Sequence, residues 1–447
     1  QIYIDEKKRE IVGSDIKAFL NQNDLKVHQN NKPRVFANTI NIEKQQTRFI
    51  KSVFTLCDYR KDDKCPPWVL QASAMKHDKK EKTIYYDNAV IKIYNIPILY
   101  LPKLSHPDPS VNRRSGFLPP SFADTKNLGS GISIPYFWAP SINKDFTLTS
   151  KLFSSEHPLF LGEYRQAFNN SNLIFDLGYT KGYKNTSFTK KSGDKSHFFT
   201  KFIKNFNGKN NSENNFELTL QEVSNDKYLK LYRIESDLID YETETLESAL
   251  DFSHYNDDLF LSFKASRHET LKDSYNDKYE YIAPDIVLDK NLFASNKYGN
   301  ADFQSNFKVR NYDTNKFTKF LVNDVDWRFK KSILPNIFDG NILAKLKNVN
   351  YEAKNTNKHK EDTTSELFGA IGYLTEFDLY KKTKNNTNHL LTPKILLKYA
   401  PEHMKKETGN IRLNNKNVFD LDRLNINDNL ESGRSATIGF DYKIENT

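Results

Sequence analysis

From Ser115 to Thr447 apolar and polar residues alternate in runs of about ten, separated by turns rich in Asn, Asp and Lys. Phe146, Leu148 and Leu152 alternate with Thr147, Thr149 and Lys151, and Phe216, Leu218 and Leu220 with Glu217, Thr219 and Gln221. Phe303, Phe307 and Val309 oppose Asp302, Gln304, Asn306, Lys308 and Arg310, while Ile371, Tyr373, Phe377 and Leu379 oppose Gly372, Glu376 and Asp378. A period of two predicts strands with one apolar and one polar face. Roughly sixteen such runs, with no helical segment to cover either face, predict a β-barrel in lipid. The alternative is a soluble sandwich, which would need shorter strands and more Gly/Pro turns.

Residues 1 to 95 carry a different pattern, a weak internal repeat. Ile2-Tyr3-Ile4-Asp5, Ile40-Asn41-Ile42-Glu43 and Met75-Lys76-His77-Asp78 start 38 and 35 residues apart, the last two each following an alanine (Ala37, Ala72) by three positions. Each unit has an apolar residue nine positions on (Ile11, Phe49, Ile84) and a charged turn between (Glu6-Lys7, Lys44-Gln45, Lys79-Lys80). Stacked hairpins of this kind predict an open β-jelly-roll or solenoid with an apolar trough. A small closed sandwich with a filled core is the other solution.

Between the two lies Ile93 to Phe122, holding Pro97, Pro102, Pro107, Pro109, Pro119 and Pro120, with Pro135 just beyond. Proline fixes φ and removes a donor, so this density excludes a long helix and an uninterrupted central strand. His106 and Asp108 fall here, and the surrounding prolines predict a rigid turn for them instead of an acid/base pair. The stretch reads as a junction, dividing the chain into 1–104 and 105–447.

A length of 447 residues fits two parts. No apolar run reaches the ~20 residues of a membrane helix, and the longest uncharged stretch, Asn127 to Asn143, is broken by Gly129, Gly131, Pro135 and Pro140. A membrane barrel remains open, because its strands average out as polar; 32 Phe and 24 Tyr suit strands and interfacial girdles. The formal charge of +9 comes from 66 basic against 57 acidic residues scattered throughout, which fits a compositional background as well as a basic surface. Gln1 is not a start residue, and Thr447 follows closely on a strand-like run, so a truncated or processed chain is expected.

Cys57 and Cys65, the only two cysteines, are spaced too widely for CxxC and lack neighbouring histidines for zinc. A Cys57–Cys65 disulfide closing a hairpin loop fits better and would imply an oxidising compartment; two unpaired thiols, or a pairing with a cysteine outside this sequence, are the alternatives. The ten histidines are dispersed, and no GxSxG, HExxH, Walker or dinucleotide fingerprint occurs. No catalytic, metal or cofactor site is expected; a solenoid polysaccharide lyase and an outer-membrane hydrolase are the enzyme alternatives.

Ile96-Pro97-Ile98-Leu99-Tyr100-Leu101-Pro102, His106-Pro107-Asp108-Pro109 and Arg113-Arg114-Ser115-Gly116-Phe117-Leu118 resemble the LPS-assembly outer-membrane protein LptD family. So do Ile134-Pro135-Tyr136-Phe137-Trp138, Ser224-Asn225-Asp226-Lys227-Tyr228-Leu229, Leu391-Thr392-Pro393-Lys394 and Glu431-Ser432-Gly433-Arg434-Ser435. The resemblance implies a periplasmic jelly-roll that takes lipopolysaccharide (LPS) from a periplasmic bridge protein. It also implies an outer-membrane barrel, plugged by a lipoprotein, that opens sideways to release the lipid; nucleic acid is not an expected partner. Family barrels have about 26 strands, so this chain would be a fragment with an incomplete ring. The family's long-range disulfides have no C-terminal cysteines here to use.

On this reading Ile40, Ile42, Phe49, Ile84, Tyr86, Ile91 and Ile93 line an acyl-chain trough, because a lipid chain needs a continuous apolar lining. Pro120 and Pro135, fifteen positions apart as the family's gate prolines are, stand on the first two barrel strands and form a lateral gate. An outer-membrane porin or receptor with a fused binding domain is the alternative function.

Overall fold

The computed structural model describes all residues except 1, 8, 20–33, 56–67, 109–110, 112, 187–192, 273–276, 332–338, 384–386, 406–411, 425 and 447. Among the described residues no helix is long and apolar enough to cross a membrane, and strands dominate throughout. The chain divides into two compact units, Gln1–Pro120 with Ile134–Thr147, and Ser121–Ser133 with Leu148–Thr447.

The first sheet has seven antiparallel strands in sequence order: β1 (Ile2–Asp5), β2 (Glu10–Phe19), β3 (Arg34–Ile42), β4 (Gln46–Thr55), β5 (Trp68–Asp78), β6 (Thr83–Ile93) and β7 (Ile96–Pro107). The charged turns of the repeat join β1 to β2, β3 to β4 and β5 to β6, setting Ile4 opposite Ile11 and Ile40 opposite Phe49. In the third hairpin Met75 faces Tyr86 and His77 faces Ile84. The repeat has a second physical basis. Asp15, Lys51 and Asn88 adopt positive φ of 54°, 51° and 49°, each where the ladder skips a pair. They lie 36 and 37 residues apart on alternate strands, so the left-handed kinks recur at one level on β2, β4 and β6.

β7 is an edge strand, which is why it tolerates Pro97, Pro102 and Pro107: a missing N–H costs least where no neighbour asks for it. Its Pro102 falls opposite the kink at Asn88, between the Asp87–Lys103 and Ala89–Leu101 pairs.

The second sheet is antiparallel throughout and ordered as a closed barrel. It begins with β8 (Gly116–Phe117), β9 (Ser121–Thr125), β10 (Gly129–Ser141), β11 (Lys144–Phe153), β12 (Leu159–Ala167) and β13 (Ser171–Thr180). β14 (Lys195–Asn207), β15 (Glu213–Val223), β16 (Thr245–Asn256), β17 (Leu259–Thr270), β18 (Tyr279–Ser295) and β19 (Gly299–Tyr312) follow. The rest are β20 (Lys316–Lys330), β21 (Asp339–Lys354), β22 (Thr364–Glu376), β23 (Leu379–Lys382), β24 (Thr387–Ala400) and β25 (Gly433–Asn446). β8 and β9 share β10 as partner, and β22 and β23 share β24, so the eighteen segments make sixteen staves. That matches the number of alternating runs. The resemblance implied a ring left open in this chain; the described strands are instead ordered as a closed one.

The alternation becomes an outside and an inside. Trp327, Ala344, Ile371 and Tyr399 pair in one row across β20, β21, β22 and β24, and Phe329, Ile342, Tyr373 and Leu397 in another. Leu346, Ile371, Leu397 and Tyr399 on this face are exposed. Their neighbours on the other face are Asp324, Asp326, Lys345, Lys347 and Lys398, all joined in ion pairs. Further along, the outer face turns polar, where Ser305, Asn323, Asn348, Asn350 and Ser365 form a hydrogen-bonded ladder at 2.6–3.3 Å. An apolar band ending at a polar rim is the profile of a strand leaving a hydrocarbon layer.

Candidate functional site: apolar face, proline hairpin and lumen

The apolar side of the first sheet gathers most of the expected trough residues. Ile40, Phe49 and Tyr86 are buried, and Ile42, Ile84 and Ile91 pack against them. Ile93 does not join: it is 42 % exposed at the end of β6, between Trp68 and Ile96. The cluster also takes in Val35, Ala37, Leu70, Ala72, Met75 and Ala89. Alanines give little hydrophobic signal, yet Ala37 and Ala72 were visible as markers of the repeat. They bring the strands' bulkier neighbours within reach of one another.

Tyr86 is the cluster's polar handle. Its hydroxyl lies 2.9 Å from His106 Nε2 and the two rings stack at 5.4 Å, and burial pushes its phenol well above the usual range. His106 Nδ1 lies 2.8 Å from the Pro107 carbonyl. Asp108 turns to His77 Nε2 at 2.5 Å instead of to His106. The two junction residues therefore serve different partners, and His106 is a ladder residue of β7 opposite Ile84 where a rigid turn was expected.

The junction is tied at both ends. Arg114 reaches Thr83 Oγ1 and, at 3.3 Å, the Glu81 carbonyl, while Arg113 reaches Asp145 and the Ile142 carbonyl. Beyond it the first barrel strand is broken. Phe117 pairs with Tyr136 on one side of the break and Ser121 with Ser133 on the other, with Pro119 and Pro120 between. Pro135 sits within β10, and Pro120 in the gap between β8 and β9. The two prolines thus face one irregular stretch of a single hairpin.

Two connections fold onto the inner face of the barrel. The one between β15 and β16 carries a single-turn helix, α1 (Tyr228–Tyr232). Tyr228, Leu229, Tyr232, Ile234 and Ile239 are buried there with Leu159 and Phe199 of the wall. His197 links wall and connection, its Nε2 3.2 Å from Asp176 and its Nδ1 3.2 Å from the Tyr228 hydroxyl. Below lies a cavity of about 530 Å³ lined by Lys201, Glu217, Gln221, Glu235, Asp237 and Glu247, a water-compatible surface. The second connection, between β24 and β25, buries Leu421 and Leu430 against Val349, Phe368 and Ala400. In the sequence these connections were marked only by Ser224–Leu229 and Glu431–Ser435, motifs of the resemblance, and their burial against the wall was not anticipated.

Among the described residues no group of three or more His, Cys, Asp or Glu is placed to hold a metal. Cys57 and Cys65 lie outside the described residues.

No family model matches the chain. It is similar to the LPS-assembly protein LptD of Idiomarina loihiensis, 24 % identical over 333 residues, which is 72 % of this chain and 42 % of that protein. The LPS-assembly proteins LptD of Nitrosococcus oceani and Shewanella frigidimarina are 34 % and 37 % identical over 128 and 120 residues. These matches cover 29 % and 26 % of this chain and 16 % of each relative. In all three the matched stretch is less than half of the relative's length. A solved bacterial polysaccharide outer membrane secretin covers 73 % of the chain and 94 % of its own at 7 % identity and a TM-score of 0.21, below a shared fold. With an all-β architecture carrying the quoted motifs, and several curated relatives of one kind at modest identity, the chain is similar to the LPS-assembly protein LptD family.

Proposed function

We propose that the chain is the jelly-roll and barrel portion of an outer-membrane device that moves LPS to the cell surface without covalent chemistry. The observation that carries the reading is the two-faced barrel wall: apolar residues such as Leu346, Ile371 and Leu397 outside, and ion-paired Lys347 and Lys398 inside. Such a wall suits a bilayer on one side and a sugar head group in water on the other. The relatives' names supply the cargo.

Residues 1–104 are assigned to the periplasm, where the apolar cluster around Phe49 and Tyr86 would hold acyl chains received from a bridge protein. Residues 105–447 are assigned to the outer membrane, with a lipoprotein as plug. The gate is assigned to Pro120 and Pro135. Supporting it is the broken β8–β9 strand, since a backbone donor missing within a bilayer has no water to replace it.

Depletion of the protein in the bacterium that encodes it tests the reading. Surface LPS should fall and LPS should accumulate on the inner side of the outer membrane. Normal surface LPS after full depletion overturns it, and uptake of small solutes falling in its place would favour a porin or receptor.

A further inference from the structure

We propose that the described residues of the connection 412–431 are a fixed brace of the barrel wall and not a lid that swings away during passage of cargo; the proposal rests on the transport reading. Two buried lysines of the inner wall hold it. Lys347 of β21 donates to Asp422 at 3.3 Å and to the Ile426 carbonyl at 2.7 Å. Lys398 of β24 donates to Glu431 at 3.0 Å, and Glu431 also receives the Arg423 guanidinium through Nε at 2.9 and 3.1 Å. The Glu431 N–H reaches back to Asp422 at 3.4 Å, so both carboxylates belong to one network.

The wall is also shaped to receive it. A Cβ on Gly372 of β22 would stand 2.6 Å from Leu421 Cδ2, and one on Gly439 of β25 would stand 2.9 Å from the Phe419 ring. At those distances a Cβ would force the Leu421 and Phe419 side chains to shift, and at Gly372 it would also stand 3.0 Å from the Leu397 carbonyl oxygen, so each glycine leaves room as a seat for a side chain of the connection. The seats lie on strands separated by β24, so one segment ties together strands that share no hydrogen bond. The segment is ordered in itself as well: the Asn417 amide donates to the Arg412 and Arg423 carbonyls at 3.2 and 3.1 Å. Lifting it would break two charge-assisted lysine contacts and empty two seats in one step. Barrel opening therefore proceeds with the sector from β21 to β25 held as one body.

The test uses the whole protein in its native outer membrane. Gly372→Cys with Leu421→Cys places two thiols at a seat, and oxidation locks the connection to the wall. LPS delivery should stay within about twofold of the reduced protein, whereas a tenfold loss on oxidation, restored by reductant, would overturn the brace. Should the double cysteine fail to fold, Glu431→Gln decides. Its folded barrel should unfold roughly 5 °C or more below the parent, and an unchanged midpoint would reject the network as a holding element. If depletion of the parent protein leaves surface LPS normal, the transport reading fails, and the Glu431→Gln midpoint still decides the brace.

Discussion

The backbone N–H of Leu118 donates to the Pro135 carbonyl at 2.9 Å. In an antiparallel ladder a residue pair of this kind exchanges two bonds, and here the second cannot form because Pro135 has no N–H. Immediately afterwards the register slips: four steps from Phe117 to Ser121 oppose three from Tyr136 to Ser133. The first barrel hairpin is therefore joined by a half-made rung followed by a bulge containing Pro119 and Pro120.

Restoring the donors should tighten this hairpin. Pro120→Ala with Pro135→Ala is expected to slow LPS delivery by roughly fivefold, since completing the rung between Leu118 and residue 135 contributes about 1 kcal/mol. The measurement is the rate at which newly made LPS becomes accessible to a surface probe. An unchanged rate would remove these two residues from the gate.

Photo-crosslinking probes distinguish an acyl-chain trough from a core that merely fills itself. Probes at Phe49, Ile84 and Ile91, which share the apolar cluster, should capture lipid A. Probes at Ile93 and Lys51, both exposed, should capture little. Equal capture at both sets, or capture confined to the exposed pair, would count against the trough.

Burial raises the Tyr86 phenol, so the folded sheet keeps its proton where the unfolded chain loses it. The unfolded state then binds fewer protons, and stability falls as pH rises above about 10. Amide protection in peptides from β4 to β6, taken relative to the intrinsic base-catalysed rate, should fall above that pH in the parent protein. In Tyr86→Phe the fall in protection should be largely absent; an equal fall in both would assign the alkaline weakness elsewhere.

Gly178 of β13 lies beneath His197. A Cβ there would meet the imidazole and stand 2.6 Å from the Tyr228 hydroxyl. Gly178→Ala should push α1 off the wall and cost about 1–3 kcal/mol. A lowered temperature for converting the compact barrel to its unfolded gel form would report it, and no shift would mean that the helix adjusts freely.

Much of the architecture follows from local pattern alone. Alternation of period two in Phe216–Gln221 or Asp302–Arg310 leaves a strand only one way to satisfy both faces, so the strands, their number and their two-sidedness are legible without a structure. The repeat of residues 1–95 was legible as well, through its charged turns. Its aligned kinks at Asp15, Lys51 and Asn88 were not, because positive φ leaves little trace in side chains that are not glycine.

What only the tertiary structure decided is which residues meet across long separations. Ile93 continues the alternation of β6 yet falls outside the cluster, because burial depends on what covers the strand end and not on the strand's own period. The lumen is the larger case. Lys347 and Lys398 read in sequence as ordinary polar positions of barrel strands. Their burial under Asp422 and Glu431 depends on a connection 75 and 33 residues further along the chain folding back inside. Periodicity reports the face a residue takes within its own element; the partner on that face is set by the closure of the chain around it.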